Sequence, residues 1–246
     1  MNDTSISWTN KTWNPVTGCD AASPECAHCY ARSMANRLWA AGNKRYSNNF
    51  KVTIHPDVLD EVDCLKQNDM VFVCSMSDLF HPDVPDAFID QVMDKIRSKP
   101  EAIFQILTKR SARMAEYFSK HPVPTNVWAG VTIGHPDSVY RLADLKKVQA
   151  AVRWISAEPL LGDVAPLLDL SDIDWVVVGG ESGPSARPMQ EEWAWNMKTA
   201  CEKCGTTFMF KQWGTFGVDG KRRSKSENGR LLRGSEYQNF PTPRKI

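Results

Sequence analysis

Short apolar runs recur along this chain, separated by stretches whose apolar residues fall three and four positions apart. The runs are Met70-Val71-Phe72-Val73-Cys74, Ala102–Leu107, Val127–Ile133, Val152–Ser156, Trp175–Val178 and Thr207–Phe210. Each is bounded by polar residues, the pattern of parallel strands buried on both faces. The intervening spacing predicts helices near 56–66, 86–99, 111–119, 138–148 and 191–203. Ile6-Ser7-Trp8-Thr9 is a weaker, first strand. Strands alternating with helices indicate right-handed βαβ units and a parallel α/β sheet. Six or seven units close fully or partly into a (β/α) barrel, with an open doubly wound sheet as the alternative. Both gather ligands at the C-terminal ends of their strands. Residues 1–214 form the expected barrel domain. The chain then turns polar and basic, with Lys221-Arg222-Arg223, and 215–246 reads as a closing segment or tail.

The regular pattern breaks at Trp13-Asn14-Pro15-Val16-Thr17-Gly18-Cys19 and Ser23-Pro24-Glu25-Cys26-Ala27-His28-Cys29-Tyr30. Three of the seven cysteines stand there, spaced C-x6-C-x2-C. Thiols that close together form a disulfide or bind a metal. A disulfide would leave one over, and no signal peptide points to an oxidising compartment. Ser23-Pro24 reads as a helix start, with Ala27, Ala31, Met34, Ala35 and Leu38 at helical spacing and Gly42 as the stop. Cys26 and Cys29 then share a face at a helix N-terminus, which stabilises anionic sulfur. Structural zinc takes four ligands, whereas three thiolates on a [4Fe–4S] cluster leave one iron open. Zinc completed by His28 or His55, and three reduced thiols in a core, are the alternatives.

Composition narrows the class only a little. Lys plus Arg number 30 against 29 for Asp plus Glu, so bulk charge carries no nucleic-acid footprint. With no signal peptide and no long apolar run, a cytoplasmic protein without a membrane span is expected.

Polar groups follow most strands: Ser75, Ser77 and Asp78; Thr108, Lys109 and Arg110; Glu158; Glu181; Lys211 and Gln212. On the face that carries the cysteine loop they suggest one pocket, with His81 at its edge. Gly179-Gly180-Glu181-Ser182-Gly183 reads either as a nucleotide-binding turn or as a tight strand exit. Cys201 and Cys204 have no second pair and read as idle thiols, while Cys64 and Cys74 read as apolar-face residues. Trp128, Trp154 and Trp175 fall in strands and belong to the core; Trp13 and Trp213, on loops, are stacking candidates.

The stretches WNPVTGC…CAHCYA, SMSDLFHPDVP, FQILTKR, NVWAGVTI, ISAEPLLG, WVVVGGESGPSARPM and FKQWG run from Trp13 to Gly214. They resemble a bacteriophage- and prophage-associated family similar to the radical S-adenosylmethionine (SAM) superfamily, although that superfamily's usual spacing is C-x3-C-x2-C. The resemblance implies a [4Fe–4S] cluster on Cys19, Cys26 and Cys29. That cluster would cleave SAM reductively to a 5′-deoxyadenosyl radical, with electrons from a flavodoxin- or ferredoxin-type donor. It also implies Ser75, Ser77 and Asp78 at the methionine amine and Lys109 or Arg110 at its carboxylate. Glu158 and Glu181 would face the sulfonium and Tyr30 the adenine; where the Gly-rich turn is nucleotide-binding, Gly180 would lie against a ribose or phosphate. Lys109, Glu158, Glu181 and Lys211 are the expected catalytic groups. The phage association suggests a nucleobase or nucleic-acid substrate. A zinc-holding barrel acting with a partner protein, or an iron–sulfur redox protein, are the alternatives.

Overall fold

The computed structural model describes residues 1–244, so the last two residues of the expected 215–246 segment lie outside the described residues. Ten strands form, β1 (Asn2–Asp3), β2 (Lys11–Trp13), β3 (Val16–Thr17), β4 (Thr53–Ile54), β5 (Met70–Val73), β6 (Ile103–Thr108), β7 (Val127–Thr132), β8 (Val152–Ala157), β9 (Trp175–Gly179) and β10 (Thr207–Gln212). The helices are α1 (Tyr30–Ala40), α2 (Asp86–Arg97), α3 (Ser111–Lys120), α4 (Arg141–Leu145), α5 (Glu191–Cys204) and α6 (Lys225–Asn228). The main sheet has the order β1-β2-β5-β6-β7-β8-β9-β10, and β3 pairs with β4 as a separate ribbon. From β2 to β10 every neighbour in the main sheet is parallel; β1 adds an antiparallel edge. Among the described residues no strand pairing joins β10 back to β1 or β2, so the barrel is partial.

Side-chain alternation divides the core in two. Val71, Val73, Phe104, Ile106, Val131, Ile155, Val176, Val178 and Phe210 pack outward in one cluster with helix residues such as Phe88, Ile89 and Met93. Phe72, Trp128, Val152, Trp154, Trp175, Val177 and Met209 form the other cluster, inside the barrel, together with Trp8. Trp128, Trp154 and Trp175 are thus core residues, as expected. The ring of Trp8 packs edge-on against Phe72 and Trp154, and its carbonyl accepts from Gln105 Nε2 at 2.9 Å.

Four expected elements differ. The first parallel strand is Lys11–Trp13 rather than Ile6–Thr9, because 6–9 turns to insert Trp8 into the barrel. The 56–66 segment is a 3-10 helix, Pro56–Cys64, and the 138–148 helix shrinks to α4 behind a 3-10 turn at Pro136–Ser138. The helix expected from Pro24 is broken. A 3-10 turn covers Pro24–Cys26, and α1 starts only at Tyr30, with Cys29 as its N-cap at ψ 119°.

From Thr215 the chain turns back along the free edge of β10. Gln238 bridges to Met209, Phe210 N–H donates to Tyr237 O, and Leu232 is buried. Arg244 ends the strap on Asp174, and its N–H donates to Ala151 O. An edge that would otherwise expose unpaired backbone groups is thereby covered.

Asn126 stitches α2 to the start of β7, its Nδ2 donating to the carbonyls of Ile96, Lys99 and Ala102 at 2.9–3.1 Å. Asn126→Ala removes a buried donor shared by three acceptors, at a cost of about 1–3 kcal/mol. We expect a thermal midpoint lower by roughly 3–10 °C for a chain of this size, read by calorimetry.

Candidate functional site

The chain from Gly18 to Tyr30 crosses the C-terminal ends of the strands. Gly18 has φ +83°, and a Cβ there would lie 2.1 Å from Lys51 O, so the turn requires glycine. Its N–H donates to Met76 O, and that of Cys19 to Phe50 O. After β5, Ser77 Oγ donates to Val16 O at 2.7 Å, while Asn14 Oδ1 accepts from Ser75 Oγ and Met76 N. The hydroxyls expected at a ligand amine are therefore engaged in holding the chain ahead of the first cysteine.

Three charged clusters fix the rest of the loop. Arg110, after β6, places Nη1 3.3 Å from both Cys19 Sγ and Asp78 Oδ2, and its Nη2 donates to Asp20. Asp78 is buried. It also accepts from Thr108 Oγ1 (2.6 Å), Lys109 N (2.9 Å) and Phe80 N (3.0 Å), so its expected contact with a ligand amine gives way to internal bonding. Arg110 is likewise committed rather than free for a ligand carboxylate.

Across the barrel, Glu181 follows β9. It accepts from the backbone N, Nε and Nη2 of Arg187 at 2.6–2.8 Å and lies 3.1 Å from His28 Nδ1. The same guanidinium donates to Pro24 O at 3.2 Å. Between these clamps Glu25, its side chain wholly buried, accepts from Gly134 N after β7 at 3.0 Å. Arg141 Nη1 stands 3.7 Å away.

Burial pushes the Cys19 thiol up to about 11, outweighing the opposing pull of Arg110. Burial also works to raise Glu181, but the hydrogen bonds from Arg187 and His28 win and hold its carboxyl below the usual range.

A cavity of about 420 Å³ opens above the strand ends, bordered by Cys19, Cys26 and Cys29. Tyr30, Ser75, Ser77, Asp78, Lys109, Arg110, Glu158, Gly180, Glu181 and Lys211 border it too. Glu158 and Lys211 pair at 3.1 Å on its floor, where Trp8 Nε1 donates to Glu158 Oε2 and Lys211 Nζ sits 5.7 Å from the Trp8 ring. The register shift between Phe210 and Gln212 accompanies this strand end. The Lys109 ammonium has no ion-pair partner among the described residues. Tyr30, 56% exposed, donates its hydroxyl to Ser75 O at the rim. Gly180 serves packing: a Cβ would lie 1.8 Å from Trp213 O, closing the β9 and β10 exits on each other.

Other expectations change. Trp13 and Trp213 are buried and donate to Val58 O and Leu231 O, so neither is free to stack on a ligand. Cys64 is exposed, not on an apolar face; Cys74 is buried at the cavity wall. Cys201 and Cys204 do not border the cavity. His55 lies 2.7 Å from Thr17 Oγ1. Among the described residues the group with ligand atoms within 4.8 Å of one another is Cys19, Asp20 and His81, without Cys26 or Cys29. His81 Nδ1 accepts from Asp83 N, which leaves the proton on Nε2, 3.0 Å from Asp20 Oδ1.

Sequence reasoning passed over Glu25, Arg141, Arg187 and Trp8, and also Lys225, which reaches the cavity from α6. A charged residue beside each loop motif was the available signal, in Pro24-Glu25-Cys26 and Ser185-Ala186-Arg187.

Removing one partner of a buried ion pair is strongly destabilising, about 3–5 kcal/mol. Asp78→Ala should therefore lower the urea midpoint substantially, whether or not any ligand is present. Glu181 has its carboxyl depressed from 4.5 in the folded chain. Its contribution to stability is complete above that value and is lost as pH falls through the folded-state value. Thermal midpoints followed from about pH 7 to about pH 3 should fall less steeply for Glu181→Gln than for the parent.

No curated protein matches the chain. In fold it is similar to a cysteine-to-serine variant of spore photoproduct lyase, with a TM-score of 0.58 at 12% identity over 84% of this chain and 77% of that one. A variant of that enzyme with bound AdoMet and dinucleoside spore photoproduct gives a TM-score of 0.47 at 11% identity, over 82% of this chain and 64% of its own. The enzyme complexed with dinucleoside spore photoproduct gives 0.45 at 10% identity, over 77% and 60%. The first likeness supports the partial-barrel fold. The family described as "Protein of unknown function (DUF5131)" matches residues 3–241, and the chain belongs to it.

Proposed function

We propose that the protein is a radical-SAM-type enzyme that holds a [4Fe–4S] cluster on Cys19, Cys26 and Cys29. One observation carries this reading. Three thiols border a single cavity at the strand ends, on a loop that the protein's own ion pairs hold, and the trio is not gathered tightly enough to share one ion. The donor set fits a cluster: all three ligands are soft sulfur. The fold likeness to spore photoproduct lyase, a radical SAM enzyme, supports it as well.

Held by Cys19, Cys26 and Cys29, such a cluster would supply the one-electron chemistry for reductive cleavage of SAM and, through it, hydrogen abstraction from a substrate. The residues around it bind, orient and exclude water. Lys109, the unpaired ammonium at the wall, receives the carboxylate of the methionine moiety. Arg110 sets the position of Cys19, and Asp78 sets Arg110. The Glu158–Lys211 pair offers a carboxylate and an ammonium to the reacting end. Trp8 beneath it seals the floor against water from the barrel interior. Tyr30 at the rim stands where the adenine enters. Electrons come from a flavodoxin- or ferredoxin-type donor in the reducing cytoplasm, and the phage association of the resembling family favours a nucleobase-type substrate.

The Cys19–Asp20–His81 group favours a mononuclear zinc site as the second reading. It is the weaker one, because Arg110 already pairs with Asp20. After anaerobic reconstitution we expect about four irons and about four sulfides per chain and a SAM-induced change in the electron paramagnetic resonance spectrum. Replacing any one of Cys19, Cys26 and Cys29 by Ala should abolish the cluster, whereas the Cys201→Ser/Cys204→Ser variant should keep it. Stoichiometric zinc without sulfide would sink the proposal.

A further inference from the structure

From Cys26 to Pro56 the chain contains no Asp or Glu, yet it carries Arg32, Arg37, Lys44, Arg45 and Lys51. In a chain balanced at 30 basic against 29 acidic residues, that is a local segregation of charge, invisible to the net value. Arg32, Arg37, Lys44 and Lys51 are exposed and have no ion-pair partner among the described residues. Their neighbours are exposed aromatics: Tyr30 is 56% and Trp39 53% accessible, and Arg32 lies over the ring of Phe50 at 5.0 Å. A second set of cations without ion-pair partners, Lys221, Arg222 and Lys225, comes from the C-terminal strap. Both sets reach the same cavity, through Arg32 and Lys225.

We infer that α1 with the loop following it, together with the 221–225 segment whose Lys225 borders the same cavity, forms a docking surface for single-stranded or locally unpaired nucleic acid. Unpaired cations interleaved with exposed aromatic rings suit a polyanion whose bases can stack, because phosphates take the charges and every base offers a π face. The cavity excludes a duplex. At about 420 Å³ it has the size of a small-molecule site, so a base must leave its stack to reach the strand ends. This inference rests on the proposed reading for what happens inside the cavity, but binding at the mouth needs neither cluster nor SAM.

The test is fluorescence anisotropy of a short labelled single-stranded oligonucleotide with the reconstituted full chain, titrated over a range of salt. SAM cleavage is measured on the same preparation. Removing two phosphate contacts should reduce the slope of log K against log salt by about 1.4. Arg37→Gln/Lys44→Gln should show that reduction, while Lys120→Gln/Lys147→Gln, an equal charge loss on exposed residues elsewhere, should not. Trp39→Ala should weaken binding by roughly five- to a hundredfold with little change in slope. The inference is overturned if the parent binds no oligonucleotide at low salt, if the two double variants have the same slope, or if anionic phosphatidylserine vesicles bind and the oligonucleotide does not. Oligonucleotide binding without SAM cleavage would instead count against the proposed function and leave this surface standing.

Discussion

A loop carrying three unbridged thiols has no reason of its own to hold them over one cavity, so the barrel must impose that geometry. It does so with arginines. Arg110 from the end of β6 takes Cys19, Asp20 and Asp78 together, and Arg187 beyond β9 ties Glu181 to the Pro24 carbonyl. The Glu25–Arg141 pair near β7 holds the middle of the loop. A guanidinium suits this task because its planar fork can bond to a carboxylate and a carbonyl at once without losing its charge. Buried pairs of this kind add little net stability over a well-packed apolar contact, but they penalise every arrangement that leaves a charge unpaired. They specify the loop's position more than they strengthen the fold.

The barrel interior sets the depth of the site. Four tryptophans, Trp8, Trp128, Trp154 and Trp175, fill the lower part of the half-closed barrel, with ring centroids of neighbouring pairs 5.1–5.8 Å apart. Gln105 is a polar side chain at their level, bonded to the Trp8 carbonyl, and above them Glu158 and Lys211 meet over the Trp8 ring. An ion pair resting on aromatic surface is shielded from water on one side, so each charge acts more strongly on whatever lies above. The β8 and β10 exits carry this floor, and the β9 exit between them closes on that of β10 at Gly180. The site thus depends on how the last two strands pack as well as on the cysteine loop.

Alternation and apolar runs made the parallel strands legible, because strands buried on both faces leave a dense signal. The strand-end rule then picked the residues that border the cavity. Their bonding was not legible. Asp78 reads from sequence as a free carboxylate, and only the fold shows Thr108, Lys109, Phe80 and Arg110 converging on it. Trp8 misleads in the other direction: its short alternating context resembles a strand, yet it is a plug inserted from a turn. The split of the expected Pro24 helix escapes periodicity because Cys26-Ala27-His28-Cys29 keeps helical spacing while its backbone leaves the helix at Cys29. The partners that hold the loop, Arg141 and Arg187, lie far from it in sequence, where no local pattern connects them.

The near-zero net charge conceals a division of labour between cations. Arginines next to the thiol loop are neutralised by Asp78, Asp20, Glu181 and Glu25, so they organise the protein and have no charge to spare for a ligand. Farther out, Arg32, Arg37, Lys44, Lys51, Lys221 and Lys225 lack such partners. Folding does not need their charge, and side chains so placed gain little from the protein itself. Deep in the site, charge is matched group by group except at Lys109; at the mouth, the cations named above are left without partners. An anionic molecule taken up at the proposed docking surface would then meet, apart from Lys109, fixed and already paired groups, whose geometry would not have to rearrange when it arrived.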